Sequence, residues 1–401
     1  MDTYGLFKHI GTDNAYTALA KSLNSALATA ETKKTLKRIT REDIRYAHMG
    51  QLIIREGIAY ATFIQNPGDD GEEHDSRTSG VVLAVFSVDR AMAADFDAKA
   101  DVAIYPVGSR GDSCAGYVAA SIFKDNSMCA VGEAIHVCFS FTAEDGISRV
   151  FRRTFDTRTR AWTDETKLTL RYGGHDYDFS DETLNVIYRD KGLLPRASGL
   201  IELVSAWSEY AGEYYATGVT IDGPNNGIVV KTRDFCTVEA VDAVPFNNMG
   251  SAEIASYVFR DRLFVACRQD YGIPYLYLGA LNLKTGAWEE HHKLPDGNCR
   301  PWFFEHGGRL YLLNTTEEKD RHYTNLSRVR AWETPHEVFN RHHPVEVMVT
   351  LKDCGCYFAT AAHNGEIYFV ATHNTESFGR LHLSFFNEDE VNRRLLALFN
   401  E

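Results

Sequence analysis

The most regular feature of the chain is an alternation of hydrophobic and polar residues in short segments joined by tight turns. Residues 250–270, GSAEIASYVFRDRLFVACRQD, show it most clearly. The alternation and the aromatic and β-branched content predict one strand over 253–259 and a second over 263–268. The short polar segment 260–262 predicts the turn of a hairpin between them.

The two open ends of this hairpin carry opposite charges. Glu253 begins the first strand and Arg268 ends the second, so an antiparallel hairpin brings the carboxylate and the guanidinium together. Taken alone, this pair predicts a salt bridge at the strand ends. The pair matters more because the same hairpin recurs along the chain with other reactive residues in the position of Glu253.

The recurrence predicts the fold. Six copies of the hairpin cover residues 48–64, 126–141, 203–219, 253–269, 300–316 and 357–373. Strand repeats at a spacing of roughly 50 to 80 residues are typical of a β-propeller, in which each copy belongs to one four-stranded blade. We therefore predict an all-β, six-bladed propeller that forms one domain. The alternative is a β-sandwich with incidental similarity between its hairpins.

Helical patterns are confined to the two ends of the chain. Residues 12–41 are rich in alanine, leucine and lysine, with apolar residues at three- and four-residue spacing, which predicts a helical segment. Residues 388–401 predict a short closing helix. The chain is thus divided into an N-terminal helical extension, 1–41, and a propeller domain, 42–401.

The composition limits the classes of molecule that the protein is expected to bind. The net charge of −13 disfavours non-specific binding to nucleic acid or to an anionic membrane. Neither a signal pattern nor an apolar run of membrane-spanning length is present, so the cytoplasm is the expected compartment. The eight cysteines contain no CxxC pair and are interpreted as reduced, mostly buried thiols. No metal or other cofactor is expected, and the oligomeric state is left open.

The copies can be aligned on the first apolar residue of their second strand. The residues ten positions upstream are His48, Glu253, Arg300 and Tyr357. In a propeller these positions lie near one mouth of the central channel, where four polar side chains would form a site for a polar, anionic ligand. The second and third copies align loosely and offer Lys124, Asp125 or Asn126, and Ser198, Glu202 or Ser205.

These residue types suggest a different chemical role for each residue. A phenol titrates near pH 10, so Tyr357 becomes a competent nucleophile only if a carboxylate takes its proton, which would be the role of Glu253. Arginine matches a carboxylate in a bidentate manner, so Arg268 and Arg300 would bind a sugar acid.

A general acid for the leaving oxygen is also required. The acidic loop after the first hairpin, NPGDDGEEHDSRTSG, supplies Asp75 as the candidate, with Asp70 and Glu73 behind it. His373, the last residue of the sixth copy, is a further candidate for substrate binding.

At this point the chain resembles the sialidase (neuraminidase) superfamily of six-bladed propellers. The spacing of Glu253 and Arg268 resembles the family's catalytic glutamate and the arginine that follows it. CYFATAAHNGEIYFVAT resembles the segment that carries its nucleophilic tyrosine, which implies that role for Tyr357. The segment that begins at Arg321, RHYTNLS, resembles the segment of another of the three arginines that bind the sialic acid carboxylate.

The chain departs from the family pattern in two places. His48 stands where the family has the arginine of an R-I-P motif. No S-x-D-x-G-x-T-W box is intact, and only remnants such as Thr285-Gly-Ala-Trp288 are present.

Three hypotheses follow. The first is a glycoside hydrolase that acts on a small acidic glycoside, sialic-acid-like or uronic. The second is a β-eliminating lyase for a uronate-containing oligosaccharide, in which His48 and Tyr357 transfer the protons. The third is a propeller that binds a glycan or a protein without catalysis. The expected partner is a small acidic sugar or oligosaccharide.

Overall fold

A computed structural model provides the structure of the protein. It describes residues 37–44, 46–66, 80–109, 125–142, 145–163, 165–193, 200–203, 205–221, 226–246, 251–269, 275–289, 291–295, 299–318, 321–332, 345–352, 356–373 and 380–386. Five residues singled out above lie outside these ranges: Asp70, Glu73, Asp75, Lys124 and Ser198. The predicted helices over 12–36 and 388–401 lie outside them as well.

The described strands form six sheets, numbered here by the order of their hairpins. Sheet 1 contains β2 (Tyr46–Arg55), β3 (Ile58–Asn66), β4 (Gly80–Ser87) and β5 (Ala103–Ser109). Sheet 2 contains β6 (Asp125–Val131), β7 (Ala134–Thr142), β8 (Ser148–Asp156), β9 (Ala161–Trp162) and β10 (Thr166–Lys167). Sheet 3 contains β11 (Thr169–Tyr172), β12 (His175–Asp178), β13 (Leu200–Glu202), β14 (Ser208–Tyr210), β15 (Glu213–Ile221), β16 (Asn226–Thr232) and β17 (Thr237–Ala243).

In the remaining sheets neighbouring strands pair antiparallel, whereas β11 and β17 of sheet 3 pair in parallel. Sheet 4 contains β18 (Ser251–Phe259), β19 (Arg262–Gln269), β20 (Tyr275–Asn282), β21 (Ala287–Trp288) and β22 (His292–Pro295). Sheet 5 contains β23 (Trp302–His306), β24 (Arg309–Glu318), β25 (Arg321–Val329) and β26 (Val345–Lys352). Sheet 6 contains β27 (Cys356–His363), β28 (Glu366–His373), β29 (Arg380–Phe386) and, as its outer strand, β1 (Lys37–Arg38).

Neighbouring sheets contact one another in chain order, and sheet 6 contacts sheet 1 through β27 and β2. The ring is thereby closed, and β1 pairs with β29 so that both ends of the described chain lie in one sheet. The all-β propeller predicted from the hairpins is confirmed. The hairpin at residues 253–268 is also confirmed, since its strands begin and end within two residues of the predicted bounds.

The core lies between the sheets, which explains the hydrophobic content of the strands. In β4, Val81, Leu83 and Val85 pack in the cluster shared with sheet 2. The alternate residues Val82, Ala84 and Phe86 pack in a cluster shared with sheets 5 and 6. Each fully buried aliphatic side chain contributes about 1.5–3 kcal/mol, so a strand covered on both faces contributes to two interfaces at once.

Within the described ranges three helices interrupt the strands: α1 (Val88–Met92), α2 (Ala98–Asp101) and α3 (Asp181–Asp190). The sequence analysis missed α3. Its N-cap is Ser180, whose Oγ accepts a hydrogen bond from Thr183 N at 3.3 Å. Its Leu184, Ile187 and Tyr188 are buried in the core of sheet 3. Its threonine, valine and isoleucine have low helix propensity, so tertiary packing decides its conformation.

The helical interpretation of residues 12–41 is wrong at its C-terminal end, because Lys37 and Arg38 form β1. The partner strand β29 supplies hydrogen bonds there that local propensity cannot foresee. The cysteines agree with the interpretation as thiols: the six that the structure describes are free. Burial raises the pKa of Cys129 and of Cys138 to about 12.

Candidate active site

The innermost strands β2, β18 and β27 carry a β-bulge near their first residues. At each bulge a non-glycine residue has a left-handed backbone: Met49 (φ 58°), Glu253 (φ 55°) and Tyr357 (φ 55°). Such a φ costs on the order of 1–3 kcal/mol for a residue of this kind, and bulges with this strain are typical of functional sites because they re-aim a side chain. Two of these three residues, Glu253 and Tyr357, are the predicted base and nucleophile.

The bulges correct one part of the sequence alignment. In sheet 1 the regular pairing stops at His48 and resumes at Gln51; in sheet 6 it stops at Cys356 and resumes at Ala359. His48 therefore corresponds to Cys356, and Met49 corresponds to Tyr357. The alignment on the second strand is shifted by one residue in sheet 1, because a hairpin pattern does not reveal where the extra residue of a bulge lies.

The structure brings Glu253, Arg268 and Tyr357 into one hydrogen-bonded group. Arg268 Nη1 donates to Glu253 Oε2 at 2.5 Å and to Tyr357 Oη at 3.0 Å. The predicted ion pair between Glu253 and Arg268 is thus confirmed, and Glu253 is only 3% exposed. Because sheets 4 and 6 are not neighbours, this group spans the mouth of the channel.

The pKa of Tyr357 is raised well above its usual value of 10, first by burial and then by the negative charge of Glu253. The positive charge of Arg268 acts in the opposite direction. The phenol is therefore protonated at neutral pH. It becomes a nucleophile only if its proton leaves during the reaction, and Arg268 already donates to the oxygen on which the negative charge would develop.

His48 lies against Tyr357 although it does not occupy the bulge. The two ring centroids are 4.0 Å apart with an edge-on geometry, and His48 Nδ1 is hydrogen-bonded to Thr372 Oγ1 at 3.0 Å. Burial, with the positive charges of Arg300 and Arg268, lowers the pKa of His48 to about 3. The imidazole is therefore neutral at pH 7 and adds no positive charge to the site.

Arg300 is buried, at 1% exposure, and its position differs from the one expected. It precedes β23, and its Nη2 donates to Gly50 O at 2.7 Å and to Phe358 O at 3.1 Å. Both carbonyls belong to the bulges of sheets 1 and 6. Arg300 thus links the main chains of two bulges. Because its Nη2 already donates to these carbonyls, its contacts do not favour the interpretation that Arg300 binds a substrate carboxylate.

For two further candidates, Arg321 and His373, the structure describes the backbone position only. Arg321 begins β25 and His373 ends β28, and both strand ends lie at the end of the ring that carries Tyr357. Their side chains are not described, so their roles stay predictions. Of the loosely aligned positions, Asn126 is buried and donates to Met49 O at 3.1 Å, which supports the bulge of sheet 1. Ser205 Oγ accepts a bond from Thr217 N at 2.8 Å within sheet 3.

Two supporting residues were missed by the sequence analysis. Thr372 is buried and holds His48, and Trp302 lies against Arg300 with its ring centroid 5.2 Å from the guanidinium carbon. Threonine and tryptophan in a strand read as ordinary sheet residues, so no local signal distinguishes them. Within the described ranges, no group of three or more His, Cys, Asp or Glu side chains is arranged to hold a metal ion. No helix in the same ranges is long and apolar enough to cross a membrane.

The buried His48 predicts a pH dependence of stability. Its pKa is about 3 in the folded chain and 6.5 in the reference state, so below pH 6.5 the unfolded chain binds a proton that the folded chain does not. The stabilisation is complete above pH 6.5 and is lost as the pH falls toward 3. His48→Gln should flatten this dependence by about 1.4 kcal/mol per pH unit in that window, measured by urea unfolding at several pH values.

His136 provides the matched comparison for this experiment. Burial lowers its pKa to about 4, and it lies in sheet 2 with Thr154 as its hydrogen-bond partner. His136→Gln should flatten the same curve over a narrower window. Parallel curves for the wild-type chain and His48→Gln would show that the imidazole of His48 is protonated in the folded state.

Comparisons with known proteins place the fold in a class. No protein-family model and no curated protein sequence matches the chain. Solved structures do match it, and they identify the fold as an all-β propeller like that of sialidases.

Three of these structures show the extent of the likeness. Trypanosoma rangeli sialidase superposes with a TM-score of 0.59 at 11% identity, over 89% of this chain and 57% of that one. The endosialidase of phage phi92 gives a TM-score of 0.57 at 10% identity, over 88% and 68%. A protein of unknown function from Dyadobacter fermentans gives 0.64 at 11% identity, over 88% and 97%. The chain spans less than two thirds of the T. rangeli sialidase, and at these identities the likeness establishes the fold alone.

Proposed function

We propose that the chain is a six-bladed, sialidase-like propeller that hydrolyses a small acidic glycoside, sialic-acid-like or uronic. The observation that carries the proposal is the shared hydrogen bonding of Arg268 to Glu253 and Tyr357 across the mouth of the channel. A tyrosine, a buried carboxylate and a guanidinium at one site are the parts that nucleophilic attack on a sugar acid requires. The solved structures of T. rangeli sialidase include complexes with sialic acid and with the inhibitor DANA, which supports the choice of ligand class.

The proposed reaction has two steps. In the first, Tyr357 Oη bonds to the anomeric carbon, its proton passes to the carboxylate of Glu253, and the leaving oxygen takes a proton from Asp75. In the second, the carboxylate of Asp75 takes a proton from water as the water oxygen bonds to the anomeric carbon, the bond to Tyr357 breaks, and the proton held by Glu253 returns to the phenolate oxygen. Arg268 stabilises the phenolate through its existing bond to Tyr357 Oη, and it pairs with the substrate carboxylate.

One observation favours a second candidate, the β-eliminating lyase. His48 is neutral and in contact with Tyr357, so an imidazole that can accept a proton lies beside a phenol that can donate one. In this reaction His48 takes the proton from C5 of a uronate, the bond from C4 to the leaving oxygen breaks, and Tyr357 protonates that oxygen. The product carries a double bond between C4 and C5.

A single panel of substrates separates these reactions. Fluorogenic glycosides of sialic acid and of glucuronic acid, with uronate oligosaccharides, are incubated with the whole chain. Free fluorophore with a saturated sugar acid as product supports the hydrolase. An unsaturated uronide, detected by its absorbance near the ultraviolet edge, would replace the hydrolase by the lyase. Binding of these sugars without any product would overturn both in favour of a glycan-binding propeller.

A further inference from the structure

The centre of the ring contains a cavity of about 600 Å³. It is lined by residues from the inner strands of all six sheets, at the end where these strands run into their hairpins. The candidate active site lies at the other end, where the strands begin. Along β27, Ala362 lines the cavity five residues after Tyr357, which corresponds to about 16 Å of extended strand.

Trp302 separates the cavity from the candidate active site. It lines the cavity, while its ring also packs against the guanidinium of Arg300. Its Nε1 donates to Thr360 Oγ1 at 3.1 Å, so the indole is fixed from both sides. The Nη2 group of Arg300 donates to the carbonyls of the two bulges.

The lining has a specific chemical character. It contains six aromatic side chains, Trp207, Tyr214, Tyr257, Trp302, Phe303 and Phe304, and two carboxylates, Glu209 and Glu305. None of the described lining residues is lysine, arginine or histidine.

Both carboxylates line the cavity at exposed positions. Glu305 and Tyr257 interact electrostatically, since the negative charge adds to burial in raising the pKa of Tyr257. Burial first, then Cys129 and then the negative charge of Glu209 raise the pKa of Tyr214. Glu209 Oε1 accepts a bond from Gly212 N at 2.9 Å, and within the described ranges neither carboxylate forms an ion pair with a basic side chain.

We propose that this cavity binds a small organic cation of the alkylated ammonium class. Aromatic faces attract an ammonium group whose charge is spread over methyl groups, and the two carboxylates supply the opposite charge. The aromatic walls favour such a cation over a hydrated metal ion, which requires a set of oxygen ligands. The inference depends on the cavity alone and is independent of the reaction at Tyr357.

Choline and its uncharged isostere 3,3-dimethylbutan-1-ol provide the test, by calorimetric titration of the whole chain. The two probes have nearly the same shape, so their difference isolates the charge. We expect choline to bind about tenfold more tightly than the alcohol, or more, and to lose affinity as the salt concentration rises. Equal binding of both probes, or no binding of choline, would overturn the proposal, as would binding of neutral sugars in its place.

Single substitutions test whether choline binds in this cavity. Glu305→Gln should weaken choline binding about fivefold or more without altering the shape of the cavity, and Tyr257→Leu should weaken it to a similar extent. Glu182→Gln, at an exposed position in the first turn of α3, is the matched control and should leave the affinity unchanged. Unchanged affinity in Glu305→Gln would show that choline binds elsewhere. Tyr357→Phe should not affect choline binding, which keeps this test separate from the test of catalysis.

Discussion

Replacing Tyr357 by phenylalanine should lower kcat by about a thousandfold or more, because the substitution removes the nucleophilic oxygen and little else. Tyr357 Oη accepts a hydrogen bond from Arg268 at 3.0 Å, and the ring of Tyr357 packs against His48. The ring is kept in the variant, so the substrate should bind with an affinity close to that of the wild-type chain. The measurement is single-turnover kinetics together with a direct titration of ligand binding.

Tyr368→Phe is the control for this variant. Tyr368 lies in the same sheet, is 8% exposed and donates from Oη to Glu366 at the opposite end of the strand. Its substitution should leave kcat unchanged. Equal turnover in Tyr357→Phe and the wild-type chain would exclude the tyrosine as nucleophile and, with it, the proposed hydrolysis.

Mass spectrometry gives a direct readout of the nucleophile. One structure of T. rangeli sialidase is described as a covalent intermediate with 2,3-difluorosialic acid. If the present chain accepts the same compound, peptide mapping should place the adduct on Tyr357. An adduct on another residue would reassign the nucleophile while leaving the class of reaction intact.

Arg300→Met should lower the free energy of unfolding by about 3 kcal/mol, since Gly50 O and Phe358 O lose charge-assisted hydrogen bonds in a buried place. Arg300→Lys keeps the charge and donates from a single nitrogen, so its loss should be smaller. Urea unfolding measures both. Arg158→Met, in an exposed turn of sheet 2, should change stability by no more than about 0.5 kcal/mol.

The same variant tests whether Arg300 positions the catalytic group. If Arg300 holds the bulge that carries Tyr357, Arg300→Met should lower kcat more than it raises KM, and Arg300→Lys should recover part of kcat. A variant that loses stability but keeps kcat would restrict Arg300 to a structural role. A dominant rise in KM would instead indicate that the guanidinium binds the substrate.

The strands and hairpins could be predicted because their signals are local. In residues 253–268 each residue's polarity reports which side of the strand is buried, and the polar turn limits the register. The pairing of Glu253 with Arg268 followed from the register alone. The alignment of the hairpin copies also predicted that the reactive residues lie near one mouth of the channel.

The details of the site depended on interactions that are not local. Glutamate, tyrosine and methionine have no preference for a left-handed backbone, so the bulges at Glu253, Tyr357 and Met49 leave no trace in the sequence. The partners of Arg300 are main-chain carbonyls, one of them 250 residues away, and a carbonyl has no residue type to recognise. The neutrality of His48 likewise arises from burial and from two arginines that come from other sheets.

The pairing of β1 with β29 has a practical consequence for anyone who shortens the chain. A version that begins at residue 42 would follow the boundary that the sequence suggests, yet it would remove Lys37 and Arg38 from the outer side of sheet 6. The exposed edge of β29 would then offer free hydrogen-bonding groups to other molecules, which favours aggregation. Because Tyr357 belongs to the same sheet, such a trimmed protein would be a poor basis for measuring activity.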